Sequence, residues 1–215
     1  MATLGMASCG DKESEGLSSI TSYAVITLNG DDLMVIEKGS SFADPGCTAT
    51  MAGEDVSSQV KTSSNLNTNV PGFYDVVYTV VNSDGFPAST SRKVCVVDRK
   101  NFASAYLSEA QFGARHYYDL PVIIKDNGDG TYTIDDIAGG FYAYGRYPGY
   151  SYDFSLEAVI KLNADNTVEL VDCDGGNWYW GDPIAITSGT YDPETGTVTL
   201  VEDFDGTPMY VTLTK

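Results

Sequence analysis

The sequence predicts an all-β chain in two units, a β-sandwich followed by an antiparallel barrel or the sandwich made by flattening one. Three observations predict it. Gly, Thr, Ser, Asp, Val and Tyr are abundant, short runs alternating apolar with polar residues recur throughout, and no long Ala/Leu/Lys/Glu run with helical period competes. At 215 residues the chain is long enough for two ordinary domains, each burying its own core.

Residues 1–22 read as a tether. Leu4–Cys9 places small residues immediately before Cys9, and the GDKESEGLSS that follows is polar, acidic and without apolar surface to bury. The first stretch resembles the end of a bacterial lipoprotein signal peptide, in which the cysteine becomes the lipidated first residue. The acidic run resembles the surface-export signal of Bacteroidetes lipoproteins. Neither a basic n-region nor a full apolar h-region precedes Cys9, so the resemblance implies a precursor that starts upstream of Met1. It also implies an outer-membrane location, lipid-anchored through Cys9 and facing the cell exterior. No stretch approaches the roughly 20 apolar residues of a spanning helix, so membrane contact is expected only through that lipid.

Residues 23–98 carry the runs YAVITL, LMVIE, CTATM, QVKTS, FYDVVYTVV and RKVCVVD, separated by the turn clusters NGDD, KGSSFADPG, AGEDVS and NSDGFP. This is the rhythm of a sandwich. Tyr74 and Tyr78 stand four apart on one strand face and are expected in the core. The strings GSSFADPGCTA and VPGFYDVVYTVVNSDGFPASTSRKVCVVD resemble the Ig-like modules of bacterial surface proteins, which implies an Ig-like β-sandwich acting as a spacer. Cys47 and Cys95 stand where such modules often carry Val and Thr, so their pairing is not inherited from the family. Both fall in strands of one domain in an exported chain, which makes them candidate disulfide partners, subject to a register the sequence does not give. Cys173 is then a lone thiol.

DRKN, residues 98–101, marks the boundary. Asn101–Gln111 reads either as a short capped helix or as a first strand, with the strand preferred. PVIIKD, GTYTIDD, YDFSLEAVIKLN, NTVELVD, IAITSGTYD, GTVTLVED and PMYVTLT follow, joined by DNGDG, NADN and DPETG, making about eight strands over 102–215. Strands joined by tight turns pair as antiparallel neighbours, so an up-and-down, lipocalin-like barrel is the economical arrangement. The stretches GDGTYTIDDIAGGFYAYGRYPGY, VIKLNADNTVEL and GTYDPETGTVTL resemble the C-terminal domain of unknown function that follows an Ig-like module in Bacteroidetes outer-membrane lipoproteins. Proteins of this plan resemble accessory members of glycan-uptake loci that also encode an outer-membrane transporter. The resemblance implies surface glycan capture, with transporter proteins as further partners.

The residues add a modest argument of their own. Sugars present C–H faces that stack on rings and hydroxyls that bond carboxylates and amides. Tyr142, Tyr144, Arg146, Tyr147, Tyr150 and Tyr152 crowd one Gly-rich loop, and Asn177, Trp178, Trp180 and Asp182 a second. If the two loops share a barrel rim they make a cleft. The competing reading is that these rings plug the barrel end.

Thirty acidic against twelve basic residues give a net charge of −18, with the excess in both halves, which argues against nucleic acid and anionic membrane surfaces as partners. No metal site and no cofactor are expected: DNGDG is shorter than a calcium loop and reads as a turn, and the cysteine spacing with one histidine gives no zinc signature. His116 lacks an identifiable nucleophile or orienting acid in sequence, and no carboxylate pair is set as in a glycosidase. The expected protein is a non-catalytic, surface-anchored lipoprotein that binds extracellular glycan. The alternative is a structural or protein-interaction subunit of an outer-membrane complex with its aromatics buried.

Overall fold

The computed structural model describes residues 21–151, 153–173, 178–179, 181 and 184–215. The first unit contains β1 (Val25–Leu28), β2 (Leu33–Glu37), β3 (Cys47–Met51), β4 (Glu54–Asp55), β5 (Lys61–Ser64), β6 (Gly72–Val81) and β7 (Pro87–Val97). They form two sheets, ordered β1-β3-β4 and β2-β7-β6-β5, antiparallel except for the parallel pair β2/β7. β6 and β7 are the long hairpin at the centre. Asn82 closes its turn by accepting the Asp84 and Phe86 amides on its side-chain oxygen.

Val76, Tyr78 and Val94 pack against Ile26, Leu28, Ile36, Phe42 and Cys47 to make the sandwich interior. The ADPG corner is fixed by a buried cation. Arg92, with no exposed surface, bonds Asp44 at 2.7 Å, and its other N–H groups donate to the Asp31 and Asn29 carbonyls. The Tyr78 hydroxyl donates to the same Asp44 oxygen. Every donor of a buried guanidinium needs a partner, so corner, strand and tyrosine are specified together.

The candidate Cys47–Cys95 disulfide is corrected: both are free thiols. Successive residues on a strand point to opposite faces. Val94 and Cys47 therefore share the sandwich interior, while Cys95 and Val97 face the other way and pack with Ala105, Leu33, Phe73 and Ile123. Burial pushes the Cys95 thiol up to about 12 and keeps it protonated. That second cluster joins the two units, because Ala105 and Ile123 belong to the barrel.

The second unit is one sheet of eight strands: β8 (Ser104–Phe112), β9 (Arg115–Asp126), β10 (Tyr132–Ile134), β11 (Ala158–Leu162), β12 (Val168–Asp172), β13 (Ala185–Asp192), β14 (Thr197–Phe204) and β15 (Thr207–Thr214). The spatial order is β12-β11-β10-β9-β8-β15-β14-β13, antiparallel at every step. A Thr167–Thr190 bridge and the Tyr191 N–H to Asn166 carbonyl bond (2.8 Å) draw the outer strands together, giving the nearly closed up-and-down barrel that the turn pattern predicts. The ambiguous segment after Asn101 is strand. Ser104, Tyr106, Ser108 and Ala110 alternate inward, and β8 is hydrogen-bonded on both sides. One barrel end is filled by Phe102, whose ring meets Tyr132 and Tyr191 edge-on at 4.8 and 5.0 Å. The other end carries the candidate site.

Candidate functional site

The connection from β10 to β11, residues 135–157, replaces a tight turn with a plug. Asp136 starts it. Its carboxylate, fully buried, accepts the amides of Ala138, Gly140 and Leu156, tying both ends of the segment to one side chain. Gly139 (φ +64°) then lies so close to the barrel wall that a Cβ would stand 2.7 Å from both Ser108 Oγ and Val211, which only glycine permits. Phe141–Arg146 follows as one π-helical turn, with Gly145 and Tyr147 amides bonded five residues back to Gly140 and Tyr142. Such wide turns interrupt regular structure at functional sites more often than elsewhere.

The π turn divides its rings between inside and outside. Phe141 and Tyr142 point into the barrel and meet at 4.9 Å; Tyr142 packs on Trp178 at 5.5 Å, and Trp178 on Phe204 at 5.1 Å. Trp178 is only 5 % exposed and its indole N–H donates to the Phe154 carbonyl. Both Tyr142 and Trp178, candidates for a recognition platform, therefore belong to the plug, packed with Phe141, Phe112 and Phe204 at the barrel mouth. Tyr144 and Tyr150 face outward, 52 % and 68 % exposed. Half-buried Tyr147 supports Tyr150, its ring 4.8 Å from Phe154 and 5.5 Å from Tyr150, with the exposed Arg146 guanidinium 5.2 Å from its centroid. Tyr179, in the second aromatic cluster of the sequence, is 62 % exposed and lies 5.3 Å from Phe154. Cys9, Tyr152, Asn177, Trp180 and Asp182 lie outside the described residues.

Two depressions border these rings. A shallow one of about 390 Å³ runs between Tyr144, Tyr150, Asp153 and Phe154. A larger one of about 700 Å³ lies between the units, lined by Asp32, Leu33, Phe73, Ser91 and Lys93 on one side and Asp119–Pro121, Ile123, Asp135 and Tyr144 on the other. Asp119 sits at φ +56°, a conformation that Asp tolerates better than most residues. Burial raises the Asp135 carboxyl above its ordinary range, although it accepts the Ile123 amide. The Tyr144 hydroxyl is raised first by burial and then by the charges of Asp135, Asp136 and Asp153, and the residue lines both depressions.

Sequence reasoning also missed a buried carboxyl. Val198, Leu200, Glu202 and Phe204 alternate into the barrel, and neither Glu202 oxygen, nor the nearby row's Ser108 Oγ, has a hydrogen-bond partner among the described residues. Burial without a donor, with the Asp136 charge adding, pushes Glu202 well above the usual carboxyl range, while burial lifts Asp136 to about 7 against its three amide bonds. Burial therefore favours the protonated form of Glu202. The signal was present in the sequence as a Glu at an inward position of an alternating run. In DNGDG, Asp126 and Asp129 accept hydrogen bonds from within the turn, at Gly128 and Thr131. His116 does have neighbours that the sequence did not reveal: Nε2 lies 2.7 Å from Glu109 and Nδ1 2.8 Å from the Tyr118 hydroxyl. The three are exposed on the barrel's outer surface.

A small sandwich docked on an aromatic-plugged, eight-stranded barrel defines a two-module β protein. Residues 96–215 match a family model described as a C-terminal domain, and residues 26–96 match the bacterial surface protein Ig-like domain. The first match spans more than half of the chain, which belongs to that C-terminal-domain family. Among solved structures, the chain is similar to the lipoprotein BT2262 from Bacteroides thetaiotaomicron, with 27 % identity, a TM-score of 0.60, and coverage of 90 % of this chain and 100 % of that one. Two Clostridium perfringens ZmpB structures also align. One is the M60 catalytic domain with CBM51-1 and CBM51-2 (15 % identity, TM-score 0.31, 92 % of this chain and 21 % of that one). The other is CBM51-2 in complex with GlcNAc and INT domains (16 %, 0.30, 89 % and 43 %). TM-scores this low establish neither a shared site nor a shared ligand. No curated protein matches the sequence.

Proposed function

We propose that this chain is a non-catalytic lipoprotein of the bacterial outer membrane, anchored through a lipid on Cys9 and facing the exterior, whose barrel binds extracellular glycan. The Ig-like module, residues 23–98, holds the barrel, residues 102–215, away from the membrane. The family match, the Ig-like module of surface proteins and the likeness to a Bacteroides lipoprotein support the location. One observation carries the ligand: Tyr144 and Tyr150 are exposed rings that share one depression, Tyr150 packed on Tyr147 and Phe154, with the Asp153 carboxylate beside them. Exposed tyrosines held by packed neighbours offer a stacking face to sugar C–H surfaces at little entropic cost. Tyr152, Asn177, Trp180 and Asp182 complete the expected set.

Affinity electrophoresis of the soluble chain, beginning after Cys9, against plant, host and microbial polysaccharides tests this. Retardation by a polysaccharide that is lost in Tyr150→Ala and Tyr144→Ala, with unchanged near-UV circular dichroism, is the expected result. No retardation across the panel overturns it. The burial of Tyr142 and Trp178 favours a second reading, in which the barrel is an interaction subunit that contacts an outer-membrane transporter. That reading expects the same tyrosine substitutions to weaken assembly with the transporter while polysaccharide has no effect.

A further inference from the structure

The groove between the two units has the chemistry of a ligand site and is continuous with the tyrosine patch. At about 700 Å³ it lies within the range of small-molecule sites, which favour domain interfaces. Its floor is apolar, formed by Leu33, Phe73, Pro121 and Ile123, and its rim carries the carboxylates of Asp32, Asp119 and Asp135. Lys93, the one cation among its described lining residues, already bonds Asp75 at 3.0 Å. Tyr144 lines this groove and the shallow depression beside Tyr150 alike.

We propose that these two depressions form one track, running from Tyr150 and Asp153 across Tyr144 into the junction groove, and that it takes an extended, uncharged oligosaccharide which the Ig-like module helps to hold. This rests on the glycan reading above and adds the ligand's length, its charge and a second contributing module. Carboxylates at the rim accept hydrogen bonds from sugar hydroxyls and repel uronic acid or sulfated chains. An apolar floor suits the ring faces of successive units. The Ig-like module is then a wall of the site as well as a spacer. Its docking through Cys95, Val97, Ala105, Leu33, Phe73 and Ile123 keeps that wall in place.

The test is an array of neutral, uronic and sulfated oligosaccharides of two to ten units. Calorimetry follows with a length ladder of the strongest binder, on wild type, Ser91→Trp and Asp32→Ala. Ser91 is an exposed β7 residue of the groove, so the indole blocks the track without entering a core; Asp32→Ala removes only a rim carboxylate. The expected result is neutral ligands only, with affinity rising at least tenfold from the shortest to the longest oligomer. That rise should be abolished in Ser91→Trp and reduced in Asp32→Ala, while the shortest ligands bind as before. A length-independent affinity, a rise that survives Ser91→Trp, or preference for acidic chains overturns the track and leaves the tyrosine patch standing. Absence of any binding overturns both.

Discussion

Replacing Glu202 with glutamine removes the one buried carboxyl that no donor satisfies among the described residues, and its effect depends on pH in a direction the structure fixes. A carboxyl whose folded pKa is raised contributes stability fully below its unfolded value and loses it as pH rises through the folded value. Asp136, lifted from 3.8 to about 7, thus withdraws on the order of 4 kcal/mol between pH 4 and 7 in the native chain. Glu202 acts in the same direction. For as long as it stays protonated in the fold above its ordinary range, it withdraws about 1.4 kcal/mol per pH unit. The carboxamide of Glu202→Gln has no proton to acquire on folding, and it offers the neighbouring Asp136 a donor. We expect the variant to match wild type near pH 4 and to become progressively more stable above pH 5. Urea unfolding between pH 4 and 8, followed by tryptophan fluorescence, reads this directly, since Trp178 and Trp180 are the chain's two tryptophans and both lie in the barrel half. Carboxyls lowered by their partners, such as Asp98, contribute equally to both proteins and cancel in the difference. Parallel stability–pH curves for variant and wild type would refute the burial argument.

Trp178→Ala should cost about 3–5 kcal/mol in the same assay, as expected for an aromatic removed from a packed core, and should expose the plug; an unchanged midpoint would place the ring at the surface. Asp44→Ala should cost on the order of 3 kcal/mol, because it leaves the fully buried Arg92 without its counter-charge and the Tyr78 hydroxyl without its acceptor; circular dichroism melting checks it, and a loss below about 1 kcal/mol would refute the role given to the corner.

Much of this architecture is local in origin and so was legible in the chain. Alternation in β6, β7 and β14 sets which residues face inward, and the turn residues of DNGDG, NADN and DPETG set antiparallel neighbours, from which the barrel order follows. The same alternation separated Val94 from Cys95, but it could not say which face Cys47 would meet. Pairing depends on a register between strands distant in sequence, and the two thiols were found on different faces.

The candidate site was legible as a composition and not as a surface. A run of tyrosines and glycines announced an irregular aromatic loop, and the chain alone determined that much, together with the acidic charge and the two-unit β plan. Tertiary structure decided which rings fill the barrel mouth and which face water. Tyr142 and Tyr144 differ in sequence by two positions, and only the π turn anchored on Asp136 sends the first inward and the second out. It also decided that Tyr144 would meet Asp32 and Ser91 across a groove, although these residues are separated by at least fifty positions in the sequence. Such neighbours are created by the closure of the barrel and the docking of the sandwich on it, interactions that no local pattern encodes.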